Sequence, residues 1–208
     1  MKIRQFVVGA LQTNCYVLSD DKVGVIIDPA DYIKGIEEYI EKEGLTIKYI
    51  LLTHGHLDHV YKAKYFAERY SCKVLISEDD IDLAKSYTDG RESLMFGIDD
   101  YEQFDEEFIK EDDIIEVGSL KIKVIEVPGH TRGGLAFLVD GYLFSGDSLF
   151  RTSIGRTDLP GGDFGTLTRS IQAKLFVLDK DTVVLPGHGP STTIFDEMNL
   201  NPYFVWEY

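Results

Sequence analysis

The five histidines of this 208-residue chain restrict its possible folds more than any other feature, because they cluster just beyond apolar, β-branched runs. His54, His56 and His59 belong to the stretch Thr53-His54-Gly55-His56-Leu57-Asp58-His59. His130 ends Pro128-Gly129-His130, and His188 ends Pro186-Gly187-His188. The runs before them, Tyr49–Leu52, Leu120–Val127 and Thr182–Leu185, read as buried strands. In an extended segment side chains repeat every two residues, so His54 and His56 point the same way. Asp58 and His59 then fall on the first turn of a helix, where the chain changes direction. The neighbouring glycines permit tight turns and close backbone approach at the strand ends.

Imidazole and carboxylate groups are ligands for borderline divalent metals. One ion can take His54 and His56, and a second nearby can take Asp58 and His59. His130 and His188 arrive from separate strand ends to complete the two sets. Asp147, in Gly146-Asp147 after the strand Tyr142–Phe144, has two carboxylate oxygens and can bridge both ions. A structural zinc site more often uses cysteine thiolates and closes its coordination shell. This N/O set leaves room for water, which points to catalysis. Cys15 and Cys72 have no zinc-like or C-x-x-C spacing, and read as reduced packing residues.

The rest of the chain reads as one domain over 1–208. Three β-branched runs (Ile3–Val8, Cys15–Leu18, Val23–Ile27) form a meander, followed by a helix over Tyr32–Glu43 that Gly44 closes. The pattern predicts a helix from Leu57 to about Tyr70, a strand at Lys73–Ile76 and a short helix over Glu78–Lys85. Ser86–Asp113 has no clean period, and its acidic second half reads as a solvated loop. Strands resume at Ile114–Val117, Leu120–Val127, Leu135–Val139 and Tyr142–Phe144. A glycine-rich loop over Ser148–Gly165 leads to a helix from Thr166 to about Leu178. Two sheets packed face to face, with helices outside, satisfy this order. The aromatic tail Pro202–Tyr208 reads as packing on its own core or covering the site.

The formal charge of −15 opposes binding to nucleic acid or to anionic membranes, since both recognise clustered Lys and Arg. No apolar run reaches the roughly 18 residues that span a bilayer, and the N-terminus lacks the features of a signal peptide. The expectation is a cytoplasmic protein, a monomer or small homo-oligomer, acting on a small molecule.

With its later His130, Asp147 and His188, the Thr53–His59 run resembles the metallo-β-lactamase superfamily over essentially the whole chain. Within it, Gly146-Asp147-Ser148-Leu149-Phe150, Ile154-Gly155-Arg156-Thr157-Asp158 and Pro186-Gly187-His188-Gly189-Pro190 are similar to the glyoxalase II-like (hydroxyacylglutathione hydrolase-like) hydrolases. Glu197 and Asn201-Pro202 fit their short, single-domain members. The resemblance implies an α/β fold, an αββα four-layer sandwich of two mixed β-sheets flanked by helices. It also implies a dinuclear site in which His54, His56 and His130 hold the first metal and Asp58, His59 and His188 the second. Asp147 would bridge the two. Zinc is the first expectation for both ions, with iron or manganese as alternatives.

The implied reaction is hydrolysis of a small thioester such as an S-acylglutathione. Water held by the ions loses its proton near neutral pH and attacks the acyl carbon, with Asp58 orienting it. A persulfide dioxygenase of the same superfamily is the alternative, using one iron held by His54, His130 and Asp147. Two positions depart from the family pattern. Where full-length members commonly show Lys and Tyr, this loop offers Arg156 and Asp158; Arg156 is the candidate for holding a substrate carboxylate. Arg132 stands where many relatives have proline after His-Thr.

Overall fold

The inner strands of this chain, such as Val23–Ile27, Leu135–Val139 and Tyr142–Gly146, are covered on both faces, which accounts for their nearly unbroken apolar character. The computed structural model describes residues 1–89, 98 and 101–204. Its first half contains β1 (Lys2–Val8), β2 (Thr13–Asp20), β3 (Val23–Ile27), α1 (Lys34–Glu43), β4 (Thr46–Leu51), α2 (Leu57–Val60), α3 (Ala63–Tyr70), β5 (Lys73–Ile76), α4 (Ile81–Ser86) and β6 (Glu106–Phe108). The second half contains β7 (Ile114–Val117), β8 (Leu120–Glu126), β9 (Leu135–Val139), β10 (Tyr142–Gly146), β11 (Leu149–Phe150), β12 (Ser153–Ile154), α5 (Phe164–Ser170), β13 (Val183–Pro186), β14 (Thr192–Thr193) and α6 (Ile194–Leu200).

One six-stranded sheet has the order β1-β2-β3-β4-β5-β6 and the other β14-β13-β10-β9-β8-β7. Each is mixed: β3 through β6 pair parallel in the first, and β10 pairs parallel with β13 in the second. Period-two alternation sorts the side chains into layers. From β2, Cys15 and Val17 face α1 and α3, packing with Ile36, Ile40 and Phe66. Tyr16 and Leu18 face the other sheet, meeting Phe137, Phe144 and Val117. The far face of that second sheet packs Val127, Leu143 and Val184 against Leu167, Ile171 and Ile194 of the outer helices. The result is the expected αββα sandwich. Phe137 lies fully buried between the sheets, and truncating it to Ala would cost roughly 3–5 kcal/mol.

Strand direction brings the site together. β8 and β10 both pair antiparallel with β9, so they run the same way, and β13 runs parallel to β10. Three carboxyl ends of the second sheet therefore emerge at one edge, where the end of β4 meets them. Tyr16 Oη donates to Pro186 O at 2.7 Å, and the Asn14 amide donates to Gly187 O at 2.7 Å, tying the two sheets at that edge.

Several elements differ from their sequence patterns. The helix expected over Leu57–Tyr70 is two helices, α2 and α3, separated by a turn at Tyr61-Lys62. The acidic segment read as a loop contributes β6, a short edge strand parallel to β5. The glycine-rich loop contains the hairpin β11–β12. The helix expected from Thr166 starts at Phe164 and passes into a π-helical turn over Ile171–Leu175. α6 was not expected: Thr193 caps it by accepting from the Asp196 amide. Of the aromatic tail, Phe204 packs edge-on against Phe176, with centroids 4.8 Å apart. The last four residues, and Asp99 and Asp100 of the acidic run, lie outside the described residues. No helix among the described residues is long and apolar enough to cross a membrane.

Candidate metal centre

β4 ends at Leu51, and the next residues carry His54, buried, and His56, half-buried, into the site edge. His56 is extended (φ −68, ψ 144) and precedes α2, whose first turn presents Asp58 and His59. Gly55 has to be glycine, since a Cβ would stand 2.6 Å from Asp80 O. Asp147 follows a bulge in β10, where the pairing with β13 slips between Phe144 and Gly146 and redirects the chain. All seven predicted side chains come together here. His54, His56 and His130 form one set with ligand atoms within 4.8 Å of one another; Asp58, His59 and His188 form another, and Asp147 groups with His54 and His59.

Asp147 stands between the sets. Its Oδ1 lies 3.4 Å from His59 Nε2, and its Oδ2 lies 3.6 Å from His130 Nε2 and 3.5 Å from His188 Nε2. His56 Nδ1 and His130 Nε2 are 2.9 Å apart, and His188 Nε2 is 3.2 Å from Asp58 Oδ2. His54 Nε2 and Asp147 Oδ1 are buried without a hydrogen-bond partner among the described residues. Burying such atoms unpaired is costly, whereas a cation between them uses their lone pairs. A Cβ at Gly187 would collide with Asp147 Oδ1 and come 2.7 Å from His59 Cε1, so that glycine keeps the space open. The donor set, nitrogen and carboxylate oxygen with no sulfur, fits two divalent ions.

The outer ring nitrogens are occupied, which orients the inner ones. Asp28 Oδ2 accepts from His59 Nδ1 at 2.9 Å and from Thr53 Oγ1 at 2.6 Å. The Thr53 hydroxyl in turn accepts from His54 Nδ1 at 3.1 Å. His130 Nδ1 donates to Arg156 O at 2.7 Å, and His188 Nδ1 donates to Leu11 O at 3.1 Å. Each bond sets a tautomer that leaves Nε2 free to coordinate. Asp80 supports the other side of the site. Buried in the turn before α4, it accepts from the Gly55 amide (2.9 Å), Thr131 Oγ1 (2.7 Å) and the Gly133 amide (2.7 Å). It thereby ties the loop of His54 and His56 to the loop of His130.

The two sets differ electrically. Burial, reinforced by the surrounding rings, holds His54 well below the ordinary histidine value and His56 down to about 4. Burial also disfavours the charged ring of His59, but the carboxylates of Asp147, Asp58 and Asp28 outweigh it and hold that ring well above its ordinary value. For His188 the penalty of burial is overcome by hydrogen bonds to Asp147 and Asp58, which raise it to about 9. Asp147 pays a desolvation cost too, yet His59 and His188 keep its carboxyl well below the usual range.

A cavity of about 590 Å³ opens over these residues, walled by Leu11, Leu57, Tyr87, Phe150 and Leu159. Arg156 also borders it, but its guanidinium is forked onto Asp158, with Nε and NH2 at 2.8 and 2.7 Å from the carboxylate oxygens. Arg156, the candidate for holding a substrate carboxylate, thus forms an exposed ion pair with Asp158 at the rim, and it reaches the metal residues through its backbone carbonyl. Sequence reasoning missed Asp28 and Asp80. Asp28 reads as a strand stop before Pro29 and carries no further signal in the sequence; in the fold it adopts a left-handed backbone, φ 50, that Asp accepts more readily than most residues.

Comparison with known proteins places the chain in a family. The family model described as the metallo-beta-lactamase superfamily matches residues 8–188. Hydroxyacylglutathione hydrolase GloC of Haemophilus influenzae is 37% identical over 209 residues, covering 98% of each chain. The crystal structure of TTHA1623 in a di-iron-bound form superposes with a TM-score of 0.86 at 33% identity, covering 96% of this chain and 99% of that one. BLEG-1 B3 metallo-beta-lactamase superposes at 0.85 and 33% identity, covering 99% of this chain and 100% of its own.

Proposed function

The chain belongs to the metallo-beta-lactamase superfamily, and from that premise we propose that it is a dinuclear metal-dependent hydrolase of small thioesters of the S-acylglutathione kind. The observation that carries the reading is the completeness of the second ligand set, Asp58, His59 and His188, beside His54, His56 and His130, with Asp147 reaching both. A mononuclear iron dioxygenase needs none of those second-set residues. In this reading His54, His56 and His130 hold one ion, Asp58, His59 and His188 the other, and Asp147 both. Zinc is the first candidate and iron or manganese the alternatives; the similarity to a di-iron protein keeps iron in view.

The bound ions would supply Lewis acidity and lower the pKa of water from ~15.7 toward ~7. The protein supplies position. Thr13 Oγ1 donates to Asp58 Oδ2 at 3.2 Å, fixing a carboxylate at the cavity floor that can accept a hydrogen from the attacking water. Leu11, Leu57, Phe150 and Leu159 give the acyl group an apolar wall and thin out bulk water around the reacting carbon. No side-chain nucleophile is required. Cys15 lies in the core of the first sheet, and burial pushes its thiol far up, away from the reactive thiolate.

Metal analysis of the purified protein, run beside a panel of thioesters, β-lactams and glutathione persulfide, tests the reading. The expected result is about two equivalents of metal with thioester turnover. One equivalent of iron, with oxygen uptake on the persulfide and no thioester turnover, would overturn it; so would selective β-lactam hydrolysis.

A further inference from the structure

Beside the metal cavity lies a second chamber of about 480 Å³, and His56, Tyr87 and Leu159 border both. A ligand with its acyl end over the metal residues can therefore run past Tyr87 and Leu159 into this neighbour. The chamber's chemistry differs from that of its neighbour. Arg132 lines it from the His130 loop, Asp79 from the turn before α4 and Asp82 from the first turn of α4. None of the three side chains forms an ion pair or hydrogen bond with another of the described residues; Asp79 is held only through its backbone amide, which donates to Ser77 Oγ. Gly161, whose positive φ of 91 favours glycine, lies against the stem of Arg132, with its Cβ position 3.5 Å from Arg132 Cγ. Arg156, the other arginine at the rim, is committed to Asp158.

We propose that this chamber binds the far end of the thiol carrier, and that it selects a carrier ending in an amino-acid-like zwitterion. The proposal rests on the thioester reading above and narrows it to one carrier class. The Arg132 guanidinium takes the carboxylate in a fork, and Asp79 and Asp82 take the ammonium. The same pair of aspartates, in a chain of net charge −15, repels a polyphosphate carrier. Arg132 thus acts as a specificity residue away from the bond that breaks. The departure from proline noted in the sequence gains a role here.

The test uses the full-length, metal-loaded protein and one acyl group carried on glutathione, on N-acetylcysteamine and on coenzyme A. The glutathione thioester is expected to have the highest kcat/KM. Arg132→Gln is expected to lower the glutathione-to-N-acetylcysteamine ratio of kcat/KM by roughly 10- to 100-fold, mainly through KM, the effect of removing one charged hydrogen-bonding partner. Arg132→Lys, which keeps the charge and loses the fork, recovers part of that ratio, and Asp82→Asn lowers it less than Arg132→Gln does. A ratio that stays within about twofold of wild type in Arg132→Gln, or a preference for the coenzyme A thioester, overturns the proposal. If no thioester is turned over at all, the thioester reading falls, and calorimetry with the non-hydrolysable thioether S-methylglutathione judges the chamber by itself. Binding that disappears in Arg132→Gln upholds the chamber, and absence of binding to the wild type overturns it.

Discussion

The two ligand sets are neighbours with opposite electrical character. His54 and His56 are held neutral by burial and by the surrounding rings, so the lone pairs of these two are available at neutral pH. His59 and His188 sit among Asp28, Asp58 and Asp147, which hold protons on their rings. A cation entering the first set displaces no proton from His54 or His56; one entering the second replaces protons that the carboxylates have gathered on His59 and His188. The supports differ in the same way. Asp28 steadies His59 directly and His54 only through Thr53, whereas Asp80 acts on the backbone of the His56 and His130 loops. One site edge therefore places the neutral rings of His54 and His56 beside the proton-holding rings of His59 and His188, with Asp147 reaching both sets.

Removing that carboxylate breaks the comparison most severely. Asp147→Ala is expected to lower turnover and metal affinity by more than the roughly 10- to 100-fold typical of outer supports. Metal content and kcat on the same preparation measure this; a variant that keeps two equivalents and activity would show that the sets are independent.

The pH dependence of metal binding sharpens the contrast. His188 titrates at about 9 and His59 above its ordinary value, so below pH 9 the second ion competes with protons. Its apparent affinity rises by about tenfold per pH unit for each proton displaced, while His56, at about 4, adds no such slope between pH 6 and 8. Chelator competition across pH 6–9 is the measurement, and equal slopes for both ions would remove the distinction. The sign for metal-free stability follows. The raised His188 contributes stability that is complete below the unfolded value of about 6.5 and lost as pH rises through about 9. The lowered His56 does the reverse: its contribution is present above about 6.5 and lost as pH falls through about 4.

The smallest expected effects separate the supports. Asp28→Asn should weaken metal binding by roughly 10- to 100-fold, chiefly at the second set, where His59 loses its partner. Asp80→Asn turns one of the two accepting oxygens into a donor that faces the amide of either Gly55 or Gly133, and is expected to cost about 1–3 kcal/mol of stability and to disturb the first set more. Thermal unfolding and stoichiometry, compared between the two variants, show whether each carboxylate serves its own set.

The β-branched runs and the period of α1 located most strands and helices, because burial on both faces leaves an unbroken apolar signal. Short elements escaped. β6 is three residues in an acidic setting, and α6 depends on a Thr193 cap and on the buried Glu197 carboxylate, which takes hydrogen bonds from Thr192 and Asn201. The seven candidate ligands were legible because imidazoles and carboxylates beside glycine, at strand ends, have few other uses in one pattern.

Sequence alone thus determined the donor atoms, their grouping around strand ends and the layered fold that converges them. Tertiary structure decided the rest. It chose Asp28 and Asp80 as supports, set Leu11 O against His188 across 177 positions of chain, and committed Arg156 to Asp158 while leaving Arg132 facing an open chamber. Ligand identity is a property of single residues and survives in one dimension. Hydrogen-bond partnership, proton affinity and cavity shape depend on residues brought together by the packing of two sheets, and only the folded chain specifies them.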